Sequence, residues 1–206
     1  MTSVPNPTRA AVLVSGGGSN LAALLDAARD PGYGVEIVVV GADRDCGALE
    51  VAASAGVPSF VERVKDHPTR AEWDAALTTR VAAAAPDIVI SAGFLKLAGE
   101  VFLAAFGGRY LNTHNALLPA FPGIHGPRDA LEYGVKIAGA TLFVVDAGVD
   151  TGAIVAQVAV PVLDDDDVEA LTERIKVAER DQLVTWVGRL AREGFRVEGR
   201  KVVLGG

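Results

Sequence analysis

Short apolar runs alternate with helical patterns through the first half of the chain, and this exchange restricts the fold more than any other feature. Residues 9–15 (RAAVLVS), 35–41 (VEIVVVG) and 87–92 (DIVISA) read as strands, and 57–62 (VPSFVE) as a weaker one. Helical patterns separate them, from about Asn20 (LAALLDAAR), over 47–56, and from near Thr69 (AEWDAALTTRVAAA). The strand runs carry apolar residues on both faces, as a parallel sheet covered on both sides demands. Strand–helix alternation of this kind predicts an α/β fold: a Rossmann-like, doubly wound, mostly parallel sheet with helices on both faces.

The pattern changes after about residue 107. RYLNTH ends a short strand, and ALLPAFPGIHGP is a shaped loop rich in Pro and Gly, followed by a short helix over DALEYG. IAGATLFVV and AIVAQVAVPV read as an antiparallel pair joined by DAGVDTG. Residues 167–193 form a long amphipathic helix, with Val168, Leu171, Ile175, Leu183, Val187 and Leu190 near one face. A final strand is expected over FRVEGRKVVL. The expected organisation is a single domain over 1–206. Its mononucleotide-binding half reaches to about 107, and a second half from about 108 completes the same sheet and carries the functional loops.

Bulk properties exclude several classes. With a formal charge of -7 there is no basic stripe for generic nucleic-acid binding. One cysteine, Cys46, rules out an internal disulfide framework, and with only three histidines there is no recognisable zinc cluster. MTSVPNPTR lacks the apolar core of a signal peptide, and no stretch approaches a membrane span. A soluble, cytoplasmic protein without a metal is expected.

Ser15-Gly16-Gly17-Gly18-Ser19-Asn20 lies between the first strand and the first helix. Glycines permit tight turns and let backbone N–H groups approach an anion, and the helix N-terminus adds partial positive charge. Ser19 can cap the helix and donate its hydroxyl. No Gly-Lys-Ser/Thr follows, so this is not a P-loop. A dinucleotide site competes, because Asp43 ends the second strand where a ribose-binding acid would sit, although Leu21 replaces the third fingerprint glycine. A purely structural turn is the remaining alternative.

Asn112-Thr113-His114 leaves a strand end, the edge of an open α/β sheet where ligands lie. Asparagine can donate to a developing oxyanion, and histidine can exchange a proton near neutral pH. Asp150, in the Gly-Val-Asp-Thr-Gly turn, is the natural third member, since a carboxylate near His114 favours the imidazolium. Taken singly, these residues read equally well as an Asx-turn, a structural histidine and a turn aspartate.

Together the motifs resemble the glycinamide ribonucleotide formyltransferase family over nearly the whole chain. SGGGSNL looks like that family's phosphate loop, SAGFLKL like its folate-contacting strand end, and LNTHNALLPAFPGIHG like its Asn-x-His-x-Ser-Leu-Leu-Pro segment. VDAGVDTGAIVAQ is similar to the loop carrying its essential aspartate. The resemblance implies formyl transfer from 10-formyltetrahydrofolate, as co-substrate, to the amine of 5'-phosphoribosylglycinamide in purine biosynthesis. It implies a catalytic group of Asn112, His114 and Asp150. Gly18, Ser19, Asn20, Lys176 and Glu179 would contact the ribonucleotide. Arg70, Leu95, Lys96, Leu97, Ala98, Asn112, Asp146, Ala147, Gly148, Val149 and Asp150 would contact the folate. Without the resemblance, Lys176 and Glu179 read as a solvated helical ion pair.

Departures from the family pattern are Asn115 and Ala116 in place of Pro-Ser, Lys96 where arginine is common, and Phe143 where histidine often stands. Two relatives of the same fold compete: a methionyl-tRNA formyltransferase, expected to carry a further C-terminal domain and a basic surface, and a formyltetrahydrofolate hydrolase, expected to carry an N-terminal regulatory domain. A non-catalytic nucleotide-binding module using the glycine loop with Asp43 is the alternative from another class. The sequence leaves the oligomeric state open, a homodimer included.

Overall fold

The computed structural model describes residues 7–205. Its parallel core begins with β1 (Thr8–Val14), β2 (Val35–Ala42), β3 (Ser59–Val61), β4 (Ile88–Ser91) and β5 (Tyr110–His114). These join β6 (Ile137–Val144), β7 (Ala153–Pro161), β8 (Phe195–Glu198) and β9 (Lys201–Leu204) in one sheet of order β3-β2-β1-β4-β5-β6-β7-β9-β8. β1 to β5 pair in parallel, β6 runs antiparallel to β5 and β7, and β8 runs antiparallel to β9. The expected α/β architecture is therefore present, a mostly parallel doubly wound sheet.

Helices cover both faces because the strands are apolar on both. On one side α1 (Ser19–Ala27), α2 (Gly47–Ser54) and α6 (Val168–Glu193) bury Val12, Val40, Ile90 and Leu111. On the other, α3 (Arg70–Ala82) and α4 (Glu100–Phe106) bury Leu13, Val89 and Tyr110 against Trp73, Phe102 and Phe106. Each fully buried side chain of this size contributes roughly 1.5–3 kcal/mol. A smaller cluster under α5 (Gly126–Tyr133) packs Ala130, Ala140 and Val160 against Leu171 and Ile175 of α6.

Several expectations need correction. The final strand is a hairpin: Gly199, at φ +61°, turns β8 back onto β9. The helix expected from Asp129 starts at Gly126, with Pro127 in its first turn, where a missing N–H costs nothing. Val168 is 44% exposed, although the rest of the apolar stripe from Leu171 to Leu190 is buried. α4 was not expected at all. Its N-terminus is closed from a distance, by Asp74 of α3, whose carboxylate accepts from the backbone N–H groups of Gly99, Val101 and Phe102 at 2.7, 2.9 and 3.1 Å. No helix of the described residues is long and apolar enough to cross a membrane.

The strand order reverses between β1 and β4, which lie side by side but wind outwards in opposite directions. A crevice forms outside the carboxyl ends of such strands. The loops that follow β1, β4 and β5 all open into it.

Candidate active site

A cavity of about 490 Å³ fills this crevice. The glycine loop forms one wall, residues 91–98 a second, and the strand end Asn112–Asn115 the floor. Gly123, Ile124, Gly148, Val149 and Asp150 close it from the loops beyond β5 and β6. Leu95, Leu97, Ile124 and Val149 are each half exposed or more, so the mouth is rimmed by apolar side chains that water does not satisfy.

The glycine loop leads into α1 without a side-chain cap. Gly18 is the N-cap residue, at φ +84°, and Ser19 is the first helical residue, so Ser19 does not cap as expected. The first N–H groups of a helix have no partner within it, and here their residues, Gly18, Ser19 and Asn20, line the cavity. The three glycines serve different ends. A side chain at Gly16 or Gly17 would meet nothing within 4 Å, whereas a Cβ on Gly18 would sit 2.8 Å from Ala48 Cα. Gly18 is thus required by its left-handed backbone and by the close approach of α2.

His114 is buried and both its ring nitrogens are accounted for. Nε2 lies 2.8 Å from the Phe121 carbonyl, which can only accept, so Nε2 carries a proton. Nδ1 faces Asp150 Oδ2 at 3.7 Å. The same Oδ2 accepts from the Gly123 N–H at 2.7 Å, tying the 146–152 loop to the 115–125 loop. Phe121 and Asp150 are two of three described non-glycine residues with positive φ, at +53° and +54°. Both clasp the histidine. Strain of this kind persists where the surroundings over-determine it, and it clusters at functional sites. Asn112 lies two residues before His114 on the strand and so on the same face, lining the cavity.

Glu179 is buried on α6, and its Oε1 accepts from Asn20 Nδ2 at 2.7 Å and from Thr113 Oγ1 at 3.0 Å. It joins the glycine loop, the β5 end and α6. The alternative reading of a Lys176–Glu179 ion pair fails, because exposed Lys176 pairs with Glu173. Both Lys176 and Glu179 nevertheless line the cavity.

Other expected residues fall elsewhere. Arg70 lies outside the lining, over the Trp73 ring at 4.1 Å, and donates to the Leu97 carbonyl. It braces the wall. Asp146 shapes its own loop, accepting from Gly148 N–H and Thr151 Oγ1, and neither it nor Ala147 lines the cavity. Leu95, Lys96, Leu97, Ala98, Gly148 and Val149 do line it. Asp43 offers no free carboxylate for a ribose, since Arg44 and Lys96 hold it at 2.7 and 3.7 Å.

Residues missed by the sequence reading are Ser91, Tyr110, Thr113, Phe121 and Gly123. Burial pushes the Tyr110 phenol up to about 12 against the opposing bond with Ser91, so it lines the cavity as a neutral hydroxyl. The signal for Glu179 was present: it lies four residues from both Ile175 and Leu183, a carboxylate inside an apolar stripe.

Such a cavity, with an uncapped helix end, a clasped histidine–aspartate pair and an asparagine donor, suits transfer of a group between two small molecules. Residues 8–187 match the family described as formyl transferase, and the chain belongs to that family. It is 57% identical to phosphoribosylglycinamide formyltransferase of Mycobacterium tuberculosis over 199 residues, 97% of this chain and 92% of that protein. It is 45% identical to the trifunctional purine biosynthetic protein adenosine-3 of Drosophila melanogaster over 174 residues, 83% of this chain and 13% of that protein. The solved glycinamide ribonucleotide transformylase 1 of Symbiobacterium toebii superposes with a TM-score of 0.94 at 42% identity, covering 98% of this chain and 96% of that one.

Proposed function

We propose that the chain transfers the formyl group of 10-formyltetrahydrofolate to the amine of 5'-phosphoribosylglycinamide, giving phosphoribosyl-N-formylglycinamide and tetrahydrofolate. It acts as a cytoplasmic enzyme of purine biosynthesis, as one domain with no metal. The observation that carries this reading is the His114 ring held between the Phe121 carbonyl and Asp150 at the edge of the cavity.

The phosphate end of the ribonucleotide meets the free N–H groups of Gly18, Ser19 and Asn20, where dipole and donors both favour an anion. Both hydrogen bonds to Glu179 fall on Oε1, which leaves Oε2 to accept from a ribose hydroxyl. Lys176 adds charge at the rim. The flat ring of the folate lies between the 91–98 wall and Val149, with Leu95, Leu97 and Ile124 at the mouth.

The neutral amine attacks the formyl carbon and gives a tetrahedral oxyanion. Asn112 donates to that oxygen from its amide. His114 donates from Nδ1, the nitrogen left over by the Phe121 carbonyl, with Asp150 as its counter-charge. At 3.7 Å, Asp150 does not capture the Nδ1 proton in a hydrogen bond, which leaves that proton unengaged for the substrate oxyanion. As the carbon–N10 bond breaks, the amine proton passes to N10, and Asp150 is the carboxylate nearest that path. Juxtaposition of two substrates and preorganised donors provide most of the acceleration.

The test is a formyl-transfer assay with both substrates, following tetrahydrofolate and the formylated ribonucleotide. Release of formate without the ribonucleotide marks a hydrolase instead. Tighter binding of a nicotinamide dinucleotide than of the ribonucleotide marks a binding module.

A further inference from the structure

One buried carboxylate near the cavity has no part in the chemistry above. The Asp43 side chain, at the end of β2, is 1% exposed. Arg44 grips both its oxygens, Nε to Oδ1 at 3.1 Å and Nη2 to Oδ2 at 2.7 Å. Lys96 Nζ approaches Oδ2 at 3.7 Å from the wall that follows β4. Ser15 lies beside Asp43 and lowers its pKa, and Ser15 Oγ accepts the Leu95 N–H at 2.9 Å.

One ionic contact therefore runs from Asp43 to Lys96, and the neighbouring Ser15 holds the Leu95 backbone. They matter because Leu95 and Leu97 turn outwards, 63% and 65% exposed, so the segment is held through Lys96, the Leu95 N–H and the Leu97 carbonyl that Arg70 grips. Burial alone would push the Asp43 carboxyl up, but Arg44, Ser15 and Lys96 together bring it below its ordinary range, so it stays charged at neutral pH.

We propose that Asp43 is a positioning residue for the folate wall. Held by Arg44, it fixes the Lys96 side chain, next to the Leu95 backbone that Ser15 anchors. The idea rests on the reading of the 91–98 wall as the folate side of the cavity. It replaces the ribose-binding role that a carboxylate at this strand end would have in a dinucleotide site.

Asp43→Asn retains the side chain's shape but removes the charge facing Lys96. The KM for 10-formyltetrahydrofolate should rise roughly ten-fold, within the 10²-fold that small misplacements can cost. The KM for the ribonucleotide and kcat should stay within about two-fold, although Ser15 directly precedes the phosphate loop. In a Lys96→Gln background, the same substitution should change the folate KM much less. Amide hydrogen exchange in the ligand-free protein should quicken at residues 95–98.

Equal rises in both KM values, or a lowered folate KM because Lys96 has been freed, overturn the role. So does unchanged exchange at 95–98. Should Asp43→Asn fail to fold, Lys96→Gln alone must still raise the folate KM and quicken exchange in that segment, and its failure to do so refutes the idea. If the unaltered chain binds no 10-formyltetrahydrofolate in calorimetry, the functional reading falls and the proposal with it. Normal folate binding with an unaffected Asp43→Asn removes only the proposal.

Discussion

The glycine-loop wall of the cavity takes its shape from the chain itself, whereas the opposite wall is held by bonds between loops far apart in sequence. On the first side, a strand, three glycines and a helix follow one another, and the free N–H groups come from the geometry of a helix end. On the second, His114, Phe121, Gly123 and Asp150 meet only because two loops fold over the β5 end. The first kind of wall can be built before any ligand arrives and costs little strain. The second holds two residues in the left-handed region and keeps a titratable pair at a fixed separation. Under the proposed function, binding rests on the first wall and proton handling on the second.

The largest effect should come from breaking the clasp. Asp150→Asn retains an oxygen for the Gly123 N–H but removes the charge facing His114. Both substrates should still bind, while kcat falls by roughly 10²–10⁴-fold, the range for lost acid–base assistance. His114→Ala should cost a similar factor, and the double variant far less than the product, because the two act as one unit. Steady-state kinetics on the folded fraction decides the matter. A turn residue would lower stability and leave kcat nearly normal.

The next largest contrast lies within the glycine loop. Gly18→Val forces a left-handed β-branched residue against Ala48 and should destabilise the fold by about 2–5 kcal/mol, the sum of backbone and overpacking costs. Gly17→Ala meets nothing within 4 Å and should leave stability within about 0.5 kcal/mol. Its methyl group would instead stand at the cavity that Gly17 lines, so on the proposed phosphate assignment the ribonucleotide KM should rise and the folate KM should not. Denaturant midpoints and paired KM values measure both. Stability loss at Gly17 with normal KM values would reverse the assignment.

The same contrast explains what the sequence could tell. Parallel strands such as 87–92 are legible because burial on both faces leaves an unbroken apolar run, and the glycine loop is legible because its residues are adjacent. Asn112, His114 and Asp150 could be named as candidates, but the Phe121 carbonyl could not, since a backbone oxygen has no letter. α4 escaped because its cap is Asp74, on another helix, and no local signal precedes Glu100. The β8–β9 turn escaped because Gly199 sits between two apolar stretches that read as one strand. Arg70 and Asp146 were placed with the ligand by resemblance; outside the cavity lining, Arg70 holds the Leu97 carbonyl, and Asp146 holds the Gly148 N–H and the Thr151 hydroxyl.

Lys176 sharpens the comparison from the binding side. Its ammonium pairs with Glu173 in solvent, so reaching a ribonucleotide means exchanging one weak partner for another. Lys176→Ala should raise the ribonucleotide KM only about two- to five-fold, since an exposed charge pair contributes at most about 1 kcal/mol. The folate KM and kcat should not move. Equal changes in both KM values would return Lys176 to the helix surface.

The smallest effect concerns the carboxylate behind the 91–98 wall. Asp150 lines the cavity, whereas Asp43 is buried behind it, and the proposed support role of Asp43 should be visible in acid. The Arg44, Ser15 and Lys96 contacts hold the Asp43 carboxyl below its ordinary range despite its burial. A depressed folded-state value means that the charged form stabilises the fold, and that contribution is fully present above the unfolded value near about 3.9. It is lost as the pH falls through the lower, folded value. Urea midpoints of the unaltered chain and Asp43→Asn should therefore differ by a constant gap from pH 7 down to about 4. Below that the gap should close, because protonated Asp43 no longer attracts Arg44 or Lys96. A gap that persists unchanged to pH 3 would assign the effect to shape, and one that widens in acid would give the charge the wrong sign.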